Sequence, residues 1–173
     1  MLMFKLMLLV LWLMVSVVDA QERKPPTVVH RRTEFTIAVH SPYDTVFPLF
    51  GAHREQLWAE GWNPQFLHPQ PANDESGAVF TVTGGHSKVW INTIYDAERG
   101  HVQYACFAES MVTLINIQVS RQTPDTTKTV VIYERTALRP ESNEQVNRIA
   151  DDDGAQASEW EEAISAYLHP KSK

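Results

Sequence analysis

The stretch that decides the fold is MVTLINIQVSRQTPDTTKTVVIYERTAL, residues 111–138. On both sides of Thr123-Pro124-Asp125, apolar side chains largely alternate with polar ones, which is the two-residue period of a half-buried strand. A proline followed by an aspartate between two such runs is typical of a tight turn. The stretch therefore predicts two antiparallel strands, over residues 111–121 and 127–138.

Further strands are predicted upstream of this pair. Three apolar runs are each followed by turn-forming residues: 78–83, 87–95 and 101–107. Five consecutive strands with short connections predict an antiparallel meander. The segment TEFTIAVH, residues 33–40, alternates in the same way, so we expect a sheet of six strands in all.

Two short helices are predicted between the first strand and the meander. Ser41-Pro42 combines a capping hydroxyl with a proline at the first helical position, which favours a helix start. Pro48 interrupts this helix, and a second helix is expected over residues 52–60, ending at Gly61. Residues 63–76 are rich in Pro, Asn and Gln and are predicted to form a loop.

The C-terminal segment has helical periodicity. One stripe of residues three or four apart contains Val146, Ile149, Asp153, Ala157, Trp160, Ile164 and Leu168. The stripe is apolar apart from Asp153, and we interpret Asp151-Asp152-Asp153 as a solvated helix face. Gly154 weakens the middle of the helix, so a bend or break is expected there. The sequence thus predicts an α+β fold in which a long C-terminal helix packs on a curved antiparallel sheet.

The N-terminus has the pattern of a secretory signal. Lys5 precedes an apolar run, and Val18-Asp19-Ala20 fits a small-residue cleavage site. We expect a signal peptide over residues 1–20, a polar leader over 21–32, and one domain over 33–169. The protein is then exported to the periplasm or the extracellular space. The alternative is an uncleaved membrane anchor, although the run is shorter than the roughly 20 apolar residues of a spanning helix.

Charge and cysteine content exclude several classes. The net charge is −6 and no basic stripe is present, so nucleic acid is not an expected partner. Cys106 is the single cysteine, which rules out an internal disulfide, and we interpret it as a small buried residue rather than a nucleophile. The histidines lack metal-ligand spacing, so neither a metal nor another cofactor is predicted.

Four local patterns are similar to those of one superfamily: Trp58 with Gly61-Trp62-Asn63-Pro64, Trp90 with Tyr95, YERTAL at residues 133–138, and Trp160-Glu161 with Tyr167-Leu168. With the element order over residues 33–168, the chain resembles the START-like, or helix-grip, superfamily (SRPBCC). This superfamily includes Bet v 1-type, polyketide cyclase-type and Hsp90-activator-type proteins. The patterns are most similar to a bacterial branch that resembles polyketide cyclases and lipid-transport proteins.

The resemblance implies a cavity between the sheet and the terminal helix. This cavity would hold a hydrophobic or amphipathic small molecule, a class that includes lipids. The residues that we expect to line it are Trp58, Trp62, Phe66, Trp90, Tyr104, Tyr133, Arg135 and Trp160. The fold does not fix a reaction, because the same architecture hosts binders, carriers and enzymes. Peripheral or transient contact with a membrane is compatible with the resemblance, and the sequence does not predict an oligomeric state.

Two main hypotheses for function follow, and the first, a non-enzymatic binding protein, is favoured because no catalytic signature is present. The second is a cyclase or dehydratase that uses a cavity carboxylate or histidine, with Glu134 as the leading carboxylate and Tyr133 or Tyr104 as its proton partner. His53 or Arg54 at the cavity mouth could bind a polar head group. A protein-interaction module is a third class, but an exported chain would not meet the cytosolic partner of the Hsp90-activator branch.

Overall fold

A curved antiparallel sheet forms the centre of the protein in the computed structural model, which describes residues 27–82 and 88–170. The described residues form seven strands: β1 (His30–Val39), β2 (Pro64–His68), β3 (Val79–Val82), β4 (Lys88–Asp96), β5 (His101–Phe107), β6 (Met111–Thr123) and β7 (Thr126–Ala137). Their order across the sheet is β1-β7-β6-β5-β4-β3-β2. The predicted meander is confirmed, and β1 closes it by pairing with β7.

The predicted number of six strands is one too few. The additional strand, β2, lies inside the segment that we predicted to be a loop, and it pairs antiparallel with β3 at the sheet edge. An edge strand tolerates Pro64, because one side of its backbone needs no ladder partner. Phe66 pairs with Phe80, and their rings stack with centroids 5.3 Å apart. This packing holds β2 although its composition is that of a loop.

Short helices follow β1, as predicted. They are α1 (Tyr43–Val46), a 3-10 helix (Phe47–Phe50) and α2 (Ala52–Glu55). The expectation of a helix over residues 52–60 is too long, because turns replace the helix after Glu55. The Ser41 hydroxyl was expected to cap the first helix, but α1 has no side-chain cap.

The C-terminal helix is interrupted at Gly154, as expected. It consists of α3 (Asn143–Asp152), a 3-10 turn (Asp153–Ala155) and α4 (Gln156–Leu168). Asp151 and Asp152 are exposed, but the expectation of a solvated Asp153 is wrong, since its side chain is 1% exposed. Asp153 makes a bidentate ion pair with Arg135 and accepts a hydrogen bond from the Thr33 hydroxyl. A buried carboxylate needs such partners, because water no longer solvates it.

The core lies between the sheet and α4. Trp160 of α4 contacts Phe35 of β1 and Trp58, with ring centroids 5.5 and 5.3 Å apart. Ile164, one turn further along α4, is fully buried. Among the described residues, no helix is long and apolar enough to cross a membrane. The expected signal peptide, residues 21–26 of the expected leader and the turn-forming residues that follow the run 78–83 lie outside the described residues.

Candidate ligand cavity

A cavity of about 150 Å³ lies between the sheet, α4 and the short helices. Its walls come from four neighbouring strands, from α2 and the turn after it, and from α4. The lining residues are Glu55, Trp62, Trp90, Tyr104, Ile115, Ile117, Tyr133 and Trp160. The lining is therefore mostly aromatic and aliphatic, which is the usual composition of a small-molecule site.

Strand register explains how distant residues meet in this cavity. Tyr104 pairs with Ile115, and Ile115 pairs with Tyr133, so the three side chains stand in one row on the helix-facing side. Side chains alternate between the two faces of a strand, so Ile117, two residues after Ile115 in β6, lies on the same side of the sheet. The aromatic walls are thus a direct result of the meander.

Edge contacts and hydrogen bonds hold the indole walls in place. The rings of Trp62 and Trp90 meet nearly at right angles, with centroids 5.3 Å apart. The Trp62 Nε1 donates to the Ala52 carbonyl at 2.8 Å, which ties the wall to α2. The Trp90 Nε1 is buried and has no hydrogen-bond partner among the described residues. A buried donor without a partner is costly, and this one is closed off from the open space of the cavity.

Both tyrosine hydroxyls of the cavity already donate hydrogen bonds. The Tyr104 hydroxyl donates to the Phe50 carbonyl at 2.7 Å, and the Tyr133 hydroxyl donates to Oε1 of Gln156 at 3.0 Å. Burial raises the pKa of each phenol above its ordinary value. The two side chains therefore join the short helices and α4 to the sheet as neutral groups, and their protons are committed to these bonds.

Glu55 carries the one carboxyl among the described lining residues. Burial, and secondarily the charge of Asp74, raise the pKa of this carboxyl to about 8. Burial also raises the pKa of Asp74, against the lowering effect of the hydrogen bond that it accepts from the His53 backbone N–H at 2.7 Å. At neutral pH Glu55 is mainly protonated, so it can both donate and accept a hydrogen bond inside an apolar cavity.

Sequence reasoning missed Glu55 and selected its neighbours His53 and Arg54, which are exposed. A helical spacing signal was present. Ala52 and Trp58 are buried and lie three residues before and after Glu55, so the three share one face of the chain. A carboxylate between two buried positions is the pattern that identifies it.

Glu134, the leading carboxylate predicted from the sequence, does not reach the cavity. Its side chain lies on the outer face of β7, is 34% exposed, and has an oxygen 3.9 Å from Arg32 Nε. Its neighbours Tyr133 and Arg135 point inward because successive strand residues alternate between faces. The hypothesis of Glu134 as a cavity acid or base is therefore wrong.

The structure brings five of the eight predicted lining residues together: Trp62, Trp90, Tyr104, Tyr133 and Trp160. Trp58 and Phe66 pack in the core behind these walls instead. The Arg135 guanidinium stacks 4.2 Å from the Tyr133 ring centroid and pairs with Asp153, so it is not a lining group. That the five bind a ligand remains a prediction.

Comparison with known proteins gives neither a matching family model nor a matching curated sequence. Solved structures are similar in fold. Norcoclaurine synthase from Thalictrum flavum has a TM-score of 0.62 and 14% identity, over 83% of this chain and 88% of that chain. A START superfamily protein from Mycobacterium smegmatis has a TM-score of 0.60 and 15% identity, over 83% and 100%.

A third similar structure is the Zhui aromatase/cyclase from Streptomyces sp. R1128, with a TM-score of 0.58 and 14% identity, over 84% of this chain and 100% of that chain. The expected START-like, helix-grip fold is thereby confirmed. Identities this low establish the fold alone, since one fold hosts many activities.

Proposed function

We propose that this is an exported protein that binds a small molecule with an apolar body of about one ring, held between the sheet and α4. The observation that carries the proposal is the aromatic cavity of about 150 Å³ with the Glu55 carboxyl in its wall. An engineered apolar cavity of about this volume in another protein holds benzene. The size favours a ring-sized ligand over a long acyl chain, because small-molecule pockets of about 300–1,000 Å³ are usual for larger ligands.

One polar group would orient this ligand. The protonated Glu55 can donate to a ligand oxygen. A well-placed donor in an apolar wall fixes orientation without much loss of solvation. A ring that carries a hydroxyl or carbonyl oxygen fits this pattern best.

Titration calorimetry with benzyl alcohol tests the binding proposal. The matched variants are Ile115→Phe, which fills the cavity, and Glu134→Gln, which changes a carboxylate on the outer face. We expect binding to the wild-type protein and to Glu134→Gln, and loss of binding in Ile115→Phe. Equal affinity in all three proteins, or no binding to any of them, contradicts the proposal.

A second candidate function is acid–base catalysis by Glu55 on the same kind of molecule. The observation in its favour is a pKa of about 8, because a general acid or base is most effective when its pKa is near the working pH. One similar structure is norcoclaurine synthase in complex with dopamine and hydroxybenzaldehyde, each of which contains one aromatic ring. Another is an aromatase/cyclase.

Proton exchange separates the two functions. Phenylacetaldehyde in D₂O is followed by proton NMR, since a base in the cavity would remove the proton next to the carbonyl. An enzyme accelerates this exchange and loses the acceleration in Glu55→Gln, while Glu134→Gln keeps it. A protein that only binds the aldehyde does not accelerate the exchange, and the exchange rate of the aldehyde is then the same with the wild-type protein and with Glu55→Gln.

A further inference from the structure

A second cavity, of about 330 Å³, lies on the helix-facing side of the sheet under α3. Its volume is more than twice that of the first cavity and falls within the range of ordinary small-molecule pockets. Cys106 and Thr113 form part of its floor, and Ile149 of α3 covers it. None of its lining residues lines the first cavity.

Small side chains in one row of the sheet create this space. Trp90 pairs with Cys106, Cys106 with Thr113, and Thr113 with Arg135. The large side chains, Trp90 and Arg135, stand at the ends of the row. The small side chains of Cys106 and Thr113 lie between them and leave open space above this part of the sheet. The space is open to water on the side of Lys88, Arg139 and Gln145, which are all exposed.

The rim of the second cavity carries cations in a chain whose net charge is −6. Lys88 and Arg139 are lining residues and both are exposed, so their charged ends can meet a ligand from water. Glu109 is also on the rim, and its carboxylate lies 3.3 Å from the Arg139 guanidinium. This ion pair is exposed and therefore weak, so an incoming anion can compete for Arg139.

The lining has both polar and apolar parts. Met111 and Ile149 pack together as part of a small apolar cluster, while Thr113 and Gln145 supply hydrogen-bonding groups. The charges of Lys88 and Arg135 also act on the Cys106 thiol, lowering its pKa against the larger effect of burial, which raises it to about 11.

We infer that this second cavity binds a small organic anion, namely a carboxylate on a short apolar chain. The carboxylate would lie between Lys88 and Arg139, and the chain would extend over Met111 and under Ile149. Charge-assisted hydrogen bonds from two cations give the specificity for an anion, and the apolar cover gives the preference for a carbon chain over a bare ion. This site is separate from the first cavity and does not depend on the function proposed for it.

Cys106 provides a direct readout, because it is the single cysteine of the sequence and lies in the floor of the cavity. The protein is treated with methyl methanethiosulfonate at pH 8.5, and the modified fraction is followed by mass spectrometry. Octanoate at ten times its dissociation constant should slow the reaction about tenfold, because about a tenth of the protein is then free. Octanol has the apolar chain without the carboxylate, and inorganic phosphate has the negative charge without the chain. Each should therefore protect Cys106 far less than octanoate does.

Titration calorimetry with octanoate on rim variants tests the assignment of the cations. Lys88→Gln should weaken binding about tenfold, as expected for one lost charge-assisted contact. Glu109→Gln should strengthen binding, because it removes the anion that competes for Arg139. Both residues are exposed, so neither substitution disturbs the core.

The two cavities are distinguished by crossed variants. Ile115→Phe should leave octanoate binding unchanged, and Lys88→Gln should leave benzyl alcohol binding unchanged. Equal protection by octanol and octanoate, protection by phosphate alone, or an octanoate affinity that neither rim variant alters would overturn the inference.

Discussion

Replacing Glu55 by glutamine is expected to remove most of the dependence of folding stability on pH between about 5 and 8. The pKa of this carboxyl rises from 4.5 to about 8 when the chain folds, chiefly because of burial. The folded state therefore binds the proton more tightly than the unfolded state does. The resulting stabilisation is complete below the unfolded pKa and is lost as the pH rises through the folded pKa.

The magnitude follows from linkage. A tenfold difference in proton affinity corresponds to about 1.4 kcal/mol, so the full shift is worth at most roughly 5 kcal/mol. Glu55 is partly exposed, so solvation by water reduces the cost below this upper limit. A loss of a few kcal/mol is still a large share of the free energy of unfolding of a small domain, which is about 5–15 kcal/mol. Glutamine has nearly the same shape and cannot ionise, and this cost should be absent in Glu55→Gln.

Urea unfolding at pH 5, 6, 7, 8 and 9 measures the effect. Wild-type protein should lose several kcal/mol between pH 5 and pH 9, and Glu55→Gln should lose much less and be the more stable protein at pH 9. Asp74 contributes in the same direction, since burial raises its pKa too, so a residual slope is expected. Glu60→Gln, which changes an exposed carboxylate five residues along, is the matched control and should follow the wild type.

Parallel pH profiles for the wild type and Glu55→Gln would refute this reasoning. They would mean that water reaches the Glu55 carboxylate in the folded protein as freely as in the unfolded chain. The proposals for a protonated donor and for an acid–base catalyst in the first cavity would then both lose their physical basis.

Three further predictions concern packing, ion pairing and processing. Gly51→Ala should cost about 1–3 kcal/mol in urea unfolding, because its Cβ would overlap the Asp74 carboxyl, and adding Asp74→Ala should recover part of that loss. Arg135→Met should cost about 3–5 kcal/mol, since it leaves Asp153 buried without its cation; in the double variant with Asp153→Leu most of the stability should return, whereas a further loss would show that the pair itself stabilises the fold. Mass spectrometry of the protein produced in a bacterial host should show a chain that begins at Gln21 outside the cytoplasm, and a chain that begins at Met1 in the membrane fraction would favour the uncleaved anchor.

The long strands could be predicted from sequence because burial follows the alternation of residue types. Along β7 the side chains alternate between buried and partly exposed from Thr129 to Ala137, and the predicted ends lie within one residue of the observed ends. The short edge strand β2 could not be predicted in this way. Its polar residues face water on an edge, and the contact that holds it is the stacking of Phe66 on Phe80, which are distant in sequence.

The candidate site was only partly predictable for a related reason. Sequence shows that large aromatic residues point inward, but it does not show whether they border a space or fill it. Trp62 borders the cavity while Trp58, four residues earlier, packs behind it, and both donate an indole hydrogen bond to a backbone carbonyl. The burial of Asp153 could not be predicted for the same reason. Its partner Arg135 lies on a strand, and the local sequence around neither residue indicates the ion pair.

The state of Glu55 also decides which ligand class suits the first cavity. A neutral ligand oxygen binds the protonated carboxyl, which is the form that the fold already stabilises at neutral pH. An amine would form an ion pair only if Glu55 gave up its proton, and the free energy of that ionisation in an apolar wall would be subtracted from the affinity. The same burial that makes folding stability depend on pH therefore favours a neutral, oxygen-bearing ring over an amine, and the preference should weaken only above pH 8, where the carboxylate form prevails.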